Sequence, residues 1–313
     1  MKHTLTQELH LSLTNDAPSI ASKFFYDGIG SHLFDVITLL EEYYPTRTEQ
    51  WIMDSFQVAI ADAVGPCEVL LDLGAGNCAK ASRLFNNIKP KQYRALDISK
   101  EYLEAAVSDL QKQFPHIVMS AQAIDLSLPL AFPDIPELRK IFFFPGSSIG
   151  NYDPEEADRF FANIARECHG NGGLLIGVDL VKDLETLRLA YNDPLGVTSS
   201  FNLNILLNVN RIIGSNFKVR EWEHCAFFNE SQSRIEMYLR ARSNVEVNLP
   251  GCSAKDHVIR FKAGDLIHTE NSYKYTQDGF TEKLRRAGFD DIQTWTDLKK
   301  HFLVCFASAK KMS

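Results

Sequence analysis

Apolar residues recur at helical spacing over residues 47–64, and beyond them the period changes. CEVLLDLGAG (67–76) reads as a strand running into a glycine turn, and AKASRLFNNI (79–88) as the helix that follows. QYRALDIS (92–99) predicts a second strand, KEYLEAAVSDLQKQF (100–114) a helix, and HIVMSAQAID (116–125) a third strand. KIFFFPGSSIG (140–150) predicts a fourth, opening on the near-continuous apolar run of a strand buried on both faces. Asp153 can cap a helix whose first turn suits Pro154. Gly170 to Gly173 breaks the chain before LLIGVDL (174–180), the fifth strand.

Strands alternating with helices predict an α/β fold with a parallel sheet and helices on both faces. The alternation stops near residue 182. Residues 185–275 read as mixed, with strand-like stretches such as VREWEHCAFF (219–228) and SRIEMYLRARSNVEV (233–247). FTEKLRRAGF (280–289) restores a helix closed by Gly288, and DIQTWTDL (291–298) and HFLVCFASA (301–309) form a terminal hairpin. A hairpin after five β/α units is the plan of a class I methyltransferase sheet: Rossmann-like, seven strands, the last antiparallel. Residues 47–184 and 276–313 are therefore expected to form that domain. Residues 1–46 and 185–275 form a second lobe, added before it and inserted ahead of the hairpin.

A chain of 313 residues buries about three-quarters of its unfolded surface, enough for a full core. With 33 Lys plus Arg against 40 Asp plus Glu the net charge is -7, which argues against nucleic-acid binding. The six cysteines, Cys67, Cys78, Cys168, Cys225, Cys252 and Cys305, contain no C-x-x-C pair. Neither a disulfide framework nor a zinc site is expected, and a reducing cytoplasm fits. MKHTLTQELHLSLTND has no apolar stretch of signal-peptide length, and no run approaches 18 apolar residues, so no membrane span is expected. No H-E-x-x-H or other metal spacing occurs among the nine histidines.

The chemistry centres on Asp72-Leu73-Gly74-Ala75-Gly76, between a strand and a helix. Glycines there let the backbone approach a ligand, and the helix N-terminus favours negative charge. GAGNCA fits the dinucleotide pattern G-x-G-x-x-A, with Asp97 about 20 residues on. It also fits the S-adenosylmethionine loop, with Asp72 as the acid two residues before the first glycine. Asp97, ending the second strand, then accepts from ribose hydroxyls, and Asp125, ending the third, meets the adenine amino group. Three acids at the carboxyl ends of successive strands, with the terminal hairpin, favour the methyl donor over the dinucleotide.

A rival from another class is a serine hydrolase. Gly146-Ser147-Ser148-Ile149-Gly150 fits G-x-S-x-G, and Asp179 with His224, His268 or His301 completes a triad in chain order. No HGGG-type segment precedes the serine, and the glycine turn would then be idle.

Four stretches resemble the histidine Nα-methyltransferases of ergothioneine biosynthesis, within the histidine-specific methyltransferase family. They are FFYDGIGSHLFDVITLLEEYYPTRTE, LDLGAGNCAK, FFFPGSSIGNYDPEEA with LLIGVDLVKDLETLRLAYNDPLGVTSSFNLN, and RIEMYLRA with HTENSYKY. They span nearly the whole chain, the added lobe included. The resemblance implies methyl transfer from S-adenosylmethionine to the α-amino group of free L-histidine, up to the trimethyl betaine hercynine; a monomer is expected. It makes the added lobe substrate-binding. It implies a donor site of Asp72, Gly74, Gly76, Lys80, Asp97 and Asp125, with Lys80 pairing with the donor's carboxylate. Gly146, Ser148 and Asn151 would floor the amino-acid site, and Asn151 and Tyr191 hold its carboxylate. Tyr43, Glu270 and Ser272 would surround the imidazole above Met237. Glu270 and Ser272, two apart on a strand, are expected on one face. Tyr26 and Phe34 would form the catalytic end near the amine. The chain departs from the family in Ala79, where arginine is common before the lysine, and in Ser148, where threonine is common. The alternative substrate is another amino acid, such as tryptophan or a derivative; a dinucleotide oxidoreductase ranks third.

Overall fold

The computed structural model describes residues 2–136, 138–250 and 258–311, which leaves Cys252 outside the described residues. Among them, twelve strands follow one another. They are β1 (Val69–Leu73), β2 (Gln92–Asp97), β3 (Val118–Ala123), β4 (Lys140–Phe144), β5 (Gly172–Asp179) and β6 (Trp222–Asn229), then β7 (Arg234–Ala241), β8 (Val245–Asn248), β9 (Val258–Phe261), β10 (Leu266–Tyr273), β11 (Phe289–Thr296) and β12 (Phe302–Ala309). The chain divides into two compact units, Met1–Tyr44 with Asp183–Ser272, and Pro45–Lys182 with Tyr273–Ser313.

The second unit is built on one seven-stranded sheet, ordered β11-β12-β5-β4-β1-β2-β3. The pairs β1–β2, β2–β3, β1–β4 and β4–β5 are parallel, and β12 runs antiparallel to both β5 and β11. The α/β class and the seven-stranded plan hold. Strands β1, β4 and β5 are buried along their whole length, as apolar runs between two helical layers must be. One core, with Leu71, Phe142 and Phe280, lies on one side of the sheet; the other, with Leu70, Phe143 and Phe306, lies on the opposite side. After β1 the chain winds outward through β2 and β3, then returns to β4 on the other flank of β1. The crevice at that reversal is where open α/β sheets bind ligands.

Local chemistry explains most elements of this unit. Asp153 and Glu156 close a capping box on the helix Pro154–Glu167, with Pro154 in its first turn. Gly288, at φ 105°, ends the helix Gln277–Ala287. Three predicted elements are shorter than expected. The helix over 47–64 is two, Tyr44–Ser55 and Gln57–Val64, parted at Phe56. The stretch 79–88 is two single turns, Ala79–Ser82 and Phe85–Ile88. The fourth strand stops at Phe144, because Pro145 has no N–H and Gly146 and Ser147 turn left-handed, at φ 77° and 58°.

The first unit has its own core, including Phe25, Phe201, Leu206, Trp222 and Met237. Its sheet is ordered β10-β7-β6, with β8 and β9 as a separate antiparallel pair. The stretch read as mixed contains a 17-residue helix, Val197–Ile213, that its periodicity did not announce. Asparagine is a weak helix former, yet Asn202, Asn204 and Asn208 are buried in it. Their amides donate to Tyr238 O, Asp27 Oδ1 and Phe24 O, at 3.0, 2.9 and 2.6 Å. Asp193 caps the helix, taking the N–H groups of Val197 and Thr198 at 2.9 and 2.8 Å.

Candidate active site

Leu73 ends β1, and Gly74 and Gly76 reverse the chain at φ 70° and 52°. The Asp97 carboxylate fixes this turn: Oδ2 accepts the Gly76 N–H and Oδ1 the Ser99 N–H, each at 3.0 Å. Each oxygen keeps a second lone pair. A Cβ on Gly76 would meet nothing within 4 Å, so open space borders the turn, and Asp97 itself is half-buried. Two acceptor positions beside bare backbone fit a vicinal diol, and so fit the ribose of the donor. Asp125 lies two residues past β3, half-buried, with Oδ1 accepting from Ser127 N–H and Oγ–H at 2.9 and 2.6 Å.

Asp72 behaves differently from the expectation of a donor contact. It is 1% exposed, its Oδ2 accepts the Tyr93 hydroxyl at 2.7 Å, and its Oδ1 has no hydrogen-bond partner. Burial pushes its carboxyl up to about 7, against the lowering effect of the Tyr93 hydrogen bond. The hydrogen-bond partner of this enclosed carboxyl is the neighbouring strand's Tyr93. Lys80 carries an interaction the sequence reading did not foresee. Its ammonium lies 2.7 Å from Glu49 Oε2, and Glu49 Oε1 accepts the Gly146 N–H at 2.8 Å. The missed Glu49 left a signal: it precedes buried Ile52 and Met53 by three and four positions, a charge in an apolar stripe.

Past β4, Ser148–Asn151 form one tight turn. Ser148 Oγ donates to Pro145 O at 3.2 Å, Ser147 Oγ accepts the Asp179 N–H at 2.9 Å, and Asn151 is half-buried. A nucleophile elbow would strain its serine, but the left-handed residue here is Ser147, not Ser148. Asp179 is committed to two buried ammoniums, Lys182 at 2.5 Å and Lys274 at 2.9 Å. His224 uses both ring nitrogens, one on Asn202 and one on Tyr191 O, each at 2.8 Å. These partners are those of a buried ion pair and a packed histidine rather than of a hydrolase triad.

In the first unit Asp27 caps the helix Gly28–Leu39, its Oδ1 accepting from Gly30 N at 2.8 Å. A Cβ on Gly30 would overlap the Phe25 carbonyl oxygen, so glycine sets how closely the preceding segment lies. That segment carries Tyr26, which meets Phe34 edge-on at 5.8 Å, and Phe34 meets Tyr43 at 6.2 Å. The three expected aromatics are together. Phe201, which sequence reasoning missed, contacts Tyr26 and Phe34, each at 5.9 Å, and stacks on Phe25 at 4.5 Å.

The Tyr191 hydroxyl donates to Ser272 Oγ at 2.7 Å, both residues buried. Met237 is 2% exposed, within the core to which Tyr191 belongs. Glu270 is half-buried on β10. This strand is not regular. Burial alternates through Ile267 and Thr269 and then changes phase at Ser272, and His268 Nε2 meets Asn271 Oδ1 at 2.9 Å. Residues three apart on a regular strand point to opposite faces, so simple alternation does not describe Glu270 and Ser272.

A family model described as histidine-specific, SAM-dependent methyltransferase matches residues 5–309. The chain belongs to this family. It is 35% identical to a histidine N-alpha-methyltransferase of Mycolicibacterium smegmatis, over 94% of this chain and 91% of that one. It is 29% identical to ergothioneine biosynthesis protein 1 of Schizosaccharomyces pombe, over 86% of this chain and 36% of that larger protein. A 4-dimethylallyltryptophan N-methyltransferase of Claviceps purpurea is more distant, 23% identical over 95% of this chain and 92% of its own length. The solved structure of a possible exported protein from Bordetella parapertussis shares the fold, with a TM-score of 0.50 at 11% identity over 97% of this chain and 79% of that one. As a member of this family the chain is an enzyme, and S-adenosylmethionine is its methyl donor. No helix among the described residues is long and apolar enough to cross a membrane.

Proposed function

We propose that the enzyme methylates the α-amino group of free L-histidine, in three turnovers, to its trimethyl betaine. One observation carries the reading beyond family membership: the Tyr191–Ser272 hydroxyl pair lies within a unit whose aromatic side chains Tyr26, Phe34 and Tyr43 are already in contact. Such a combination suits a substrate with one polar ring and one amine that ends as a fixed cation.

When bound, the donor supplies a sulfonium methyl, so the carbon is already activated. Asp97 and the Gly74–Gly76 turn bind its ribose, and Lys80 its carboxylate. The family resemblance assigns Asn151 and Tyr191 to the carboxylate of histidine, and Gly146 and Ser148 to the same substrate. Glu270 accepts the imidazole N–H beside Ser272, and Met237 backs the ring. Alignment to within about 3–3.5 Å is the protein's main contribution to the barrier. Each attack needs the neutral amine, so a proton leaves the nitrogen for solvent before each of the three transfers, and the last transfer gives a quaternary ammonium with no proton left to lose. Tyr26 and Phe34 face the growing cation, which aromatic rings attract by roughly 0.5–2 kcal/mol. Five unbridged cysteines among the described residues support a reducing, cytoplasmic setting.

The test is mass spectrometry of the twenty free amino acids incubated with enzyme and donor, for wild type and Glu270→Ala. Histidine should gain methyls in the wild type. Glu270→Ala should lower kcat/KM for histidine by at least about 100-fold, the scale of a charged hydrogen bond. A hydrophobic ring entering the wild-type site would strand polar groups, which is how such sites reject analogues. A wild type that prefers tryptophan, or a variant with unchanged histidine kinetics, defeats the reading.

A further inference from the structure

The Glu49 carboxylate stands between Lys80 and Gly146, and the protein has cleared space for it. Its side chain is 5% exposed, whereas that of Lys80 is 39% exposed. One oxygen lies 2.7 Å from the ammonium, and the other takes the Gly146 N–H at 2.8 Å. Two glycines make room. A Cβ on Gly177, in the middle of β5, would overlap Glu49 Oε1, and a Cβ on Gly146 would come within 2.9 Å of Lys80 Nζ. A buried carboxylate is costly without partners, and this one engages both oxygens in charge-assisted or amide hydrogen bonds. The ammonium has three N–H groups; Glu49 takes one from the buried side, which leaves the exposed side for a ligand carboxylate.

We propose that Glu49 is a positioning residue. It holds the donor-binding ammonium of Lys80 and the backbone of the acceptor loop at Gly146 in one frame, so that the two substrates are registered through a single buried carboxylate. This rests on the reading that Lys80 receives the donor's carboxylate. Glu49 touches neither substrate; it acts through the two groups it holds.

The experiment uses the full chain and S-adenosylhomocysteine, which keeps the donor's carboxylate, as the calorimetric probe. Glu49→Gln preserves an acceptor for the Gly146 N–H but loses the ion pair. It should raise the probe Kd about tenfold, the scale of one charge-assisted hydrogen bond, and leave the histidine KM within about twofold by the same reasoning. Glu49→Ala should raise both. Lys80→Met should weaken the probe at least as much, and adding Glu49→Gln to it should cost nothing further, because the carboxylate acts through the ammonium. Gly177→Ala, which retains both charges but displaces the carboxylate, should reproduce the loss of probe affinity and guards against a Glu49 variant that does not fold. A merely structural glutamate would lower the melting temperature and leave the Kd of the folded protein unchanged. An unchanged Kd in Glu49→Gln, or full additivity with Lys80→Met, overturns the inference. If Lys80→Met itself binds the probe like wild type, the donor assignment of Lys80 falls, and the inference with it; histidine methylation by the wild type is read independently in the amino-acid panel.

Discussion

The hydroxyl of Tyr191 donates to Ser272 Oγ at 2.7 Å, across 81 positions of sequence. The sequence reading assigned these residues to opposite ends of histidine, its carboxylate and its ring. Their direct contact joins the two assignments in one hydrogen-bonded unit. Tyr191→Phe and Ser272→Ala should each raise the histidine KM, by roughly three- to tenfold for a neutral hydrogen bond, with donor affinity unchanged. Because each acts partly through the other, the double variant should be clearly less impaired than the sum. A double-mutant cycle in steady-state kinetics checks this; strict additivity counts against a shared role.

Asp97 takes two backbone N–H groups and has acceptor capacity left. Asp97→Ala should weaken donor binding tenfold or more, the range of charge-assisted hydrogen bonds at roughly 1.5–3 kcal/mol. The two amides it releases lie at the border of solvent, so the protein should stay folded. Calorimetry with the donor decides it, and an unchanged affinity combined with binding of a nicotinamide dinucleotide would revive the oxidoreductase reading.

Phe34 touches the rings of Tyr26, Tyr43 and Phe201. Phe34→Leu keeps apolar bulk but removes a π face. If that face favours the methylated cation by roughly 0.5–2 kcal/mol, later transfers should slow several-fold more than the first. Time-resolved mass spectrometry should then show mono- and dimethylhistidine accumulating. An unaltered ratio of intermediates excludes the cation–π role.

Asp72 makes a prediction about pH. Its folded carboxyl sits at about 7 against an ordinary 3.8, chiefly through burial. Between those values the folded state holds a proton that the unfolded chain has lost, so stability falls as pH rises. The contribution of this group is complete below 3.8 and is lost as pH rises through about 7. Asp72→Asn carries no such titration. Without donor, its melting temperature relative to wild type should therefore rise between pH 5 and pH 8. A difference independent of pH would falsify the buried-carboxyl account.

What was legible in the sequence is what short-range chemistry controls. The alternation of apolar runs and helical periods specified the five β/α units, and the hairpin specified the antiparallel end of the sheet. Pro154 and Asp153 announced their own helix start, and the glycines of the Asp97-bound turn announced a close backbone approach. Tertiary structure decided the rest, because desolvation and partners distant in sequence are not encoded in spacing. The helix Val197–Ile213 escaped its propensities because its asparagines find acceptors in other segments, at Phe24 O and Tyr238 O. Asp72 read as an acid of the donor loop, and its pairing with Tyr93 inside the core was decided by packing alone. Glu49 carried no expectation from the sequence, and it is an anchor because two glycines, at 146 and 177, leave room for its carboxylate against Lys80. A residue's type and its neighbours set which hydrogen bonds it can make; only the packed chain determines which of them remain after water has been excluded.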